Sequence, residues 1–323
     1  MISVLLPTYN SSTTLGVAIK SILQQTFPEF ELLVLDDGST DDTEKAMESC
    51  HDRRIGYHKL PHKGLAASLN FGLSIARNDI IARIDAGDIA VPGRLRRQFE
   101  FIQGKSQNTI VACNQAVYIN QRIIYRTYGS PDPDAVRKRL ALHCDFPHSG
   151  VMYYREYIVK NGGYSDTAIE DYELWLRIKN SARIHILPEV LMFTLYDRNS
   201  LSNKDVTERN AIHYRIQEKY YLNVEEEFAL SGTREGIATR GWREYFFGDR
   251  RKARDYWRRL GLHAFVQPRI IIAWLVTYLP QSTFTAFKES RMKFRIQYLL
   301  RYFFRDSRTL RATFTELMTG GSQ

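Results

Sequence analysis

"IIARIDAGD", residues 80–88, carries four apolar residues and one arginine directly into Asp85, with Asp88 three positions on. A short, unbroken apolar run is the pattern of a strand buried on both faces, and two carboxylates stand where this one ends. Pro92 and the basic segment "RLRRQ" (94–98) follow, a turn leading into a helix. The same texture recurs upstream. "ISVLLP" (2–7) and "FELLVLDD" (30–37) are apolar runs that lead into polar residues, and "RIGYHKL" (54–60) reads as a shorter strand. Between them, "TLGVAIKSILQQ" (14–25), "STDDTEKAMESC" (39–50) and "GLAASLNFGLSIA" (64–76) have the spacing or capping of helices, the second with Asp41 or Ser39 as N-cap. Strands alternating with helices predict an α/β fold, a mostly parallel sheet with helices on both faces. Ligands of such sheets gather outside the carboxyl ends of the strands. Pro7–Asn10, Asp36–Ser39 and Asp85–Asp88 therefore converge on one rim.

Further along, "TIVACNQAVYI" (109–119) and "RIIYRTYG" (122–129) predict a strand pair, and "PDAVRKRLAL" (133–142) a short helix. Residues 146–166 mix a strand with turns at Gly162 and Gly163, "EDYELWLRIKN" (170–180) predicts a helix, and "RIHILPEVLMFTLY" (183–196) two short strands. From about residue 205 the texture is helical and rich in arginine.

Composition excludes several classes. At 44% hydrophobic and 25% charged residues, the 323-residue chain has an ordinary globular balance. Its three cysteines, without a CxxC, argue against a disulfide framework and a zinc site and suggest a reducing, cytoplasmic location. "MISVLLPTYN" has no basic n-region and its apolar run stops at Pro7, so no signal peptide is expected. Residues 240–323 hold 17 Lys/Arg against 6 Asp/Glu, whereas the rest is close to neutral. "IIIAWLVTYL" (270–279), bounded by Pro268 and Pro280, is too short to span ~30 Å of hydrocarbon. "RMKFRIQYLLRYFFR" (291–305) predicts an amphipathic helix with Met292, Ile296, Leu299 and Phe303 on one face. Such a helix suits an anionic membrane surface, or an interface within a homo-oligomer. No nucleic-acid-binding signature accompanies the basic residues, so no nucleic acid partner is expected.

Each polar cluster taken alone is a turn or a helix cap, and their order along the chain is what carries information. "PTYN" (7–10), "LVLDDGSTD" (33–41), "KGLAASLNFG" (63–72), "RIDAGD" (83–88) and "EDYELWLR" (170–177) occur in series, with "HSGVMYYRE" (148–156) and "GGYSD" (162–166) between the last two. This series resembles the inverting family 2 nucleotide-sugar glycosyltransferases of the GT-A fold. The resemblance covers roughly residues 1–200. It implies a catalytic domain at 1–205, with a nucleotide-sugar half at about 1–100 and an acceptor half at about 101–205, followed by a basic helical extension at 206–323. The chemistry asks for such parts: charge developing on a departing diphosphate needs a hard cation held by carboxylates, and the acceptor hydroxyl needs a base.

The resemblance also implies roles. Pro7, Thr8, Tyr9 and Asn10 would line the nucleotide pocket, and Asp37, with Asp36 beside it, would accept a hydrogen bond from the base imide, which suits UDP. Lys63, Gly64 and Asn70 would lie near the ribose and diphosphate. Arg83 would orient the acids, Asp85 and Ala86 would contact the nucleotide sugar, and Asp88 assisted by Asp85 would hold Mg2+ or Mn2+. Asp171 would be the catalytic base, with Glu170 as supporting acid, and Arg198 a candidate for gripping the diphosphate. The acceptor would be a glycan or lipid-linked glycan in surface polysaccharide synthesis. One departure stands out: the family commonly carries Asp-Ala-Asp-Asp where this chain has Asp85-Ala86-Gly87-Asp88, so weaker metal affinity is expected, and Gly87→Asp is expected to strengthen it. That glycine also supports the alternative of a catalytically silent nucleotide-sugar-binding relative. A sugar-1-phosphate nucleotidyltransferase is disfavoured, because "PTYNSSTTLG" (7–16) is not a Gly-rich, basic phosphate loop. His143, Cys144, Asp145 and His148 fit no zinc spacing.

Overall fold

The computed structural model describes residues 1–48, 50–120, 122–140, 144–196, 206–221, 234–261, 268–280 and 282–284. They fall into two compact units, the first within residues 1–196 and the second within 206–284. Arg198 and the segment 291–305 lie outside the described residues.

The first unit is built on a nine-stranded sheet. Strands β1 (Ile2–Thr8), β2 (Phe30–Asp36), β3 (Ile55–Lys59) and β4 (Ile80–Arg83) are all mutually parallel, in the order β3-β2-β1-β4. Every residue of β1, β2 and β4 is buried, which is why these strands are continuous apolar runs. Helices α1 (Leu15–Leu23), α2 (Thr43–Glu48) and α3 (Leu65–Ile75) connect them. Asp41 serves the start of α2: it accepts the Thr43 N–H at 3.0 Å, whereas Ser39 accepts the N–H of Asn10.

Beyond β4 the sheet becomes mixed. Two-residue β5 (Ile89–Ala90) and α4 (Arg94–Ile102) precede β6 (Thr109–Ile119), which pairs antiparallel with β7 (Arg122–Arg126). After α5 (Pro133–Leu140) and a 3-10 turn at His148–Gly150, strand β8 (Met152–Tyr154) inserts antiparallel between β4 and β6. The segment 155–160, which carries no clear helical signal, forms α6 (Arg155–Lys160), and α7 spans Glu170–Ile178. Residues 183–196 form one strand, β9 (Arg183–Leu195), rather than two. Its parallel register with β6 shifts on both sides of Asn114, which pairs with Val190, so that Pro188 and Glu189 are skipped. Pro188 has no N–H to give a ladder, and the Asn114 amide instead bonds the carbonyls of Leu187 and Pro188, each at 3.1 Å, so the strand bulges and continues.

The second unit is helical: α8 (Val206–Tyr221), α9 (Arg234–Phe247), α10 (Arg250–Arg258) and α11 (Pro268–Val276). Its core gathers Tyr245, Trp257, Leu260, Ile270, Ala273 and Val276. Asp249 caps α10 by accepting the Arg251 N–H at 2.5 Å. No helix among the described residues is long and apolar enough to cross a membrane.

Candidate active site

Polar side chains meet at the carboxyl ends of the parallel strands. Pro7 lies in β1 opposite Leu35, and Thr8 is buried with its Oγ1 unpartnered. Tyr9 is 45% exposed and stacks its ring on His62, centroids 4.3 Å apart. Asn10 bridges two loops, donating its N–H to Ser39 Oγ at 2.9 Å and accepting the Thr40 N–H on Oδ1 at 2.8 Å.

At the end of β2 the two acids divide. Asp36 turns inward, where it accepts the Tyr57 hydroxyl at 2.5 Å and the Ser39 N–H at 2.8 Å. Asp37 accepts the N–H groups of Lys63 and Gly64, at 2.9 and 3.0 Å, and the Ser68 hydroxyl at 3.3 Å. His62 Nδ1 also lies 2.7 Å from this carboxylate and so must donate to it. Asp37 thereby anchors the start of α3 beneath the Tyr9–His62 stack, and leaves the Lys63 side chain exposed. Asn70 fastens α3 to the Tyr164 backbone. Its Nδ2 donates to the Tyr164 carbonyl at 2.8 Å and its Oδ1 accepts the Tyr164 N–H at 2.9 Å. A Cβ on Gly163, at φ 60°, would sit 2.5 Å from Asn70 Oδ1, so only glycine allows this clasp.

At the end of β4, the buried Arg83 guanidinium holds both oxygens of Asp85, at 2.8 and 3.0 Å. Asp85 is itself 43% exposed, and Ala86 packs on the core. Gly87 takes φ 96°, and its carbonyl accepts the Tyr118 hydroxyl at 3.1 Å. The Asp88 N–H closes the turn on the Asp85 carbonyl at 3.1 Å. The Asp88 side chain is buried and accepts from Ser149, while its Oδ2 has no partner. Burial, and then the Asp85 charge, push its carboxyl well above the usual range.

The remaining acids come from the first turn of α7, where the helix dipole favours them. His148 Nδ1 is 3.5 Å from Glu170 Oε1 and 4.0 Å from Asp171 Oδ2, and its Nε2 is 3.1 Å from the Tyr164 hydroxyl. Burial raises the Asp171 carboxyl, with His148 opposing and Glu170 adding to the shift. Burial, then the Arg83 charge, push His148 down to about 3 and keep it neutral. Arg83 keeps its own charge despite burial because Asp85, Tyr164 and Glu170 surround it.

A hard divalent ion takes oxygen ligands. The unpartnered Oδ2 of Asp88 and the exposed carboxylate of Asp85 fit Mg2+ or Mn2+, although Arg83 competes for Asp85 and residue 87 adds no ligand. His148, Glu170 and Asp171 also bring one ligand atom each to within 4.8 Å of one another. An ion there would neutralise the acids that a proton transfer needs, so the turn at 85–88 is the better metal candidate. Two residues without an expected role, His62 and His148, thus sit at the heart of the site. Their sequence signal was adjacency, His62 to Lys63-Gly64 and His148 to "SGVMYYRE".

Residues 3–163 match the family model described as Glycosyl transferase family 2. The O-antigen biosynthesis glycosyltransferase WbnJ of Escherichia coli is 30% identical over 185 residues, 56% of this chain and 72% of that protein. A second Escherichia coli protein, the UDP-Glc:alpha-D-GlcNAc-diphosphoundecaprenol beta-1,3-glucosyltransferase WfaP, is 29% identical over 55% of this chain and 70% of its own length. Among solved structures, S. aureus TarS 1-349 in complex with UDP-GlcNAc has the same fold, with a TM-score of 0.58 at 17% identity over 99% of this chain and 92% of that one.

Proposed function

This chain belongs to glycosyl transferase family 2, and on that premise we propose that it is an inverting transferase moving a sugar from a UDP-sugar to a lipid-linked glycan in surface polysaccharide synthesis. The observation that carries the reading is Arg83, a buried cation that pairs with both oxygens of Asp85 and also feels the charge of Glu170. One guanidinium thus interacts with an acid of the expected donor side and with an acid of the expected acceptor side. Tyr9 offers a ring face to the nucleobase, and the base imide, which suits uracil, would take the place of His62 on the Asp37 carboxylate. A bound Mg2+ or Mn2+ at Asp88 and Asp85 would supply charge neutralisation for the diphosphate. Asp171 takes the proton of the acceptor hydroxyl. The acceptor oxygen bonds the anomeric carbon from the face opposite the diphosphate, the carbon–phosphate-oxygen bond breaks, and its electron pair leaves on the diphosphate. The raised pKa of Asp171 makes it a stronger base than an exposed carboxylate.

The acceptor class is supported by the relative WfaP, whose name records UDP-Glc and a GlcNAc-diphosphoundecaprenol for that protein. A cytoplasmic enzyme working at the membrane surface follows from such an acceptor. In the second unit, α11 leaves Ile272 and Leu275 exposed near Tyr278, which Arg254 faces at 4.6 Å. Exposed apolar side chains on a helix, with arginine against the Tyr278 that follows it, suit an anionic bilayer, and flotation with anionic liposomes tests this. The central test is release of UDP from UDP-glucose, UDP-galactose and UDP-GlcNAc, with GlcNAc-diphosphoundecaprenol and Mn2+ present. Transfer with inversion, read from the anomeric proton of the product by NMR, is expected. Retention, or release from dTDP-sugars alone, overturns the reading.

A further inference from the structure

His148 has no part in the reaction as written above, yet its Nδ1 lies within 4.0 Å of both Glu170 and Asp171. We propose that His148 is a positioning residue for the transfer: as the Nδ1–H tautomer it aims one N–H between Glu170 and Asp171 and holds the Asp171 carboxylate in place to receive the acceptor proton. The inference rests on the reading of Asp171 as the base.

The tautomer follows from the hydrogen-bond chain. The Tyr153 hydroxyl is fully buried and, among the described residues, its one partner is the Tyr164 hydroxyl, at 2.9 Å. A buried hydroxyl gives its proton to an available acceptor, so Tyr153 donates to Tyr164. Tyr164 is then free to donate to His148 Nε2, at 3.1 Å. Nε2 is thereby an acceptor, and the ring proton belongs on Nδ1, the atom 3.5 Å from Glu170 and 4.0 Å from Asp171. Such distances are long for a hydrogen bond, and catalytic contacts commonly tighten only when substrate is bound.

The rest of the cage fixes the ring. The His148 ring meets Trp175 edge-on, with centroids 5.9 Å apart, and Tyr164 at 5.3 Å. Asn70 clasps the Tyr164 backbone from α3, so the relay is fastened to the nucleotide half of the sheet. A neutral donor suits this task better than a cation. An imidazolium beside Asp171 would stabilise its ionised form and weaken it as a base, whereas a neutral N–H orients the carboxylate at smaller cost to basicity. Burial and the Arg83 charge keep the imidazole neutral.

Two substitutions separate the two ring nitrogens. His148→Asn keeps an N–H donor near the Nδ1 position but cannot reach Tyr164. His148→Gln reaches Tyr164 near the Nε2 position but leaves nothing at Nδ1. Initial rates of UDP release from UDP-glucose and UDP-GlcNAc, with GlcNAc-diphosphoundecaprenol as acceptor, should fall about 10–100-fold in kcat for His148→Gln and His148→Leu, the scale of a misplaced catalytic group. The KM for the donor should stay within about threefold, and His148→Asn should recover most of kcat. A purely structural role would make Gln at least as good as Asn. Nitrogen NMR of histidine-labelled protein, with the His148 signal assigned by its loss in His148→Asn, gives an arm that needs no substrate: the Nδ1–H tautomer is expected. An Nε2–H tautomer, or equal kcat for Gln and Asn, overturns the proposal. Asp171→Asn is run alongside. If it keeps full transfer activity, the base assignment itself has failed; if it is inactive while His148→Gln matches the wild type, only the role of His148 has failed.

Discussion

Acid should destabilise the first unit through His148. Burial and then the Arg83 charge hold this imidazole at about 3 in the folded chain, against ~6.5 for a histidine in an unfolded one. Between those values the unfolded chain binds a proton that the folded chain refuses, so stability is lost as the pH falls. The slope approaches about 1.4 kcal/mol per pH unit, and going from pH 7.5 to 4.5 costs about 2.7 kcal/mol through this group. Asp88 works the other way. Its folded pKa is raised, so the folded chain takes up a proton first and acid relieves the cost of burying its charge. The wild-type curve mixes both effects, whereas the difference between wild type and His148→Asn isolates the imidazole. Urea unfolding of the two proteins from pH 7.5 to 4.5 provides that difference. The variant should gain on the wild type by about 2.7 kcal/mol across the range. Two curves that stay parallel to within about 0.5 kcal/mol would refute the buried, neutral histidine.

Asn70→Ala removes two hydrogen bonds to the Tyr164 backbone and should cost about 1–3 kcal/mol in urea melts; a loss below about 0.5 kcal/mol would show that the clasp matters little. Gly87→Asp, expected from sequence to strengthen metal binding, should instead destabilise by about 1–3 kcal/mol without tightening Mn2+, because residue 87 holds φ 96° and an added Cβ meets Thr14 Cβ at 3.3 Å. Thermal shift with and without Mn2+ reads both effects. Since Asp171 must be ionised to act and burial raises its pKa, kcat should decline as the pH falls through a value above the ordinary carboxylate range. Asp171→Asn should keep UDP binding and lose ~10²–10⁴-fold in kcat, as measured by calorimetry and UDP release.

The parallel half of the sheet was legible because its strands are buried on both faces, and burial on both faces leaves an unbroken apolar run in the sequence. Residues 183–196 misled for a local reason: Pro188 looks like a break, and the Asn114 side chain that bridges it lies 73 residues away. Helix α6 was hidden by its length of six residues and by the β-branched pair Ile158 and Val159. Within the site, the acids at strand ends and at the start of α7 were readable by position and by the order of the motifs. The tasks of Asn70, His62 and His148 were not. Asn70 meets its partner 94 residues along the chain, and His62 meets Asp37 across 25. Side-chain pairings of that span leave no periodic trace.

Strand β8 has a further consequence. It arrives late in the chain, yet it covers one side of β4, whose other side is held by β1. A fragment ending after α4 would contain strands β1 to β4 and every residue expected to bind nucleotide except Arg198, and so looks divisible. It would also leave Ile80, Ile81 and Ala82 as a bare edge, with unpaired amides on an apolar strand. Such an edge is a template for strand addition from a second copy, so the excised half should aggregate rather than serve as a nucleotide-binding module.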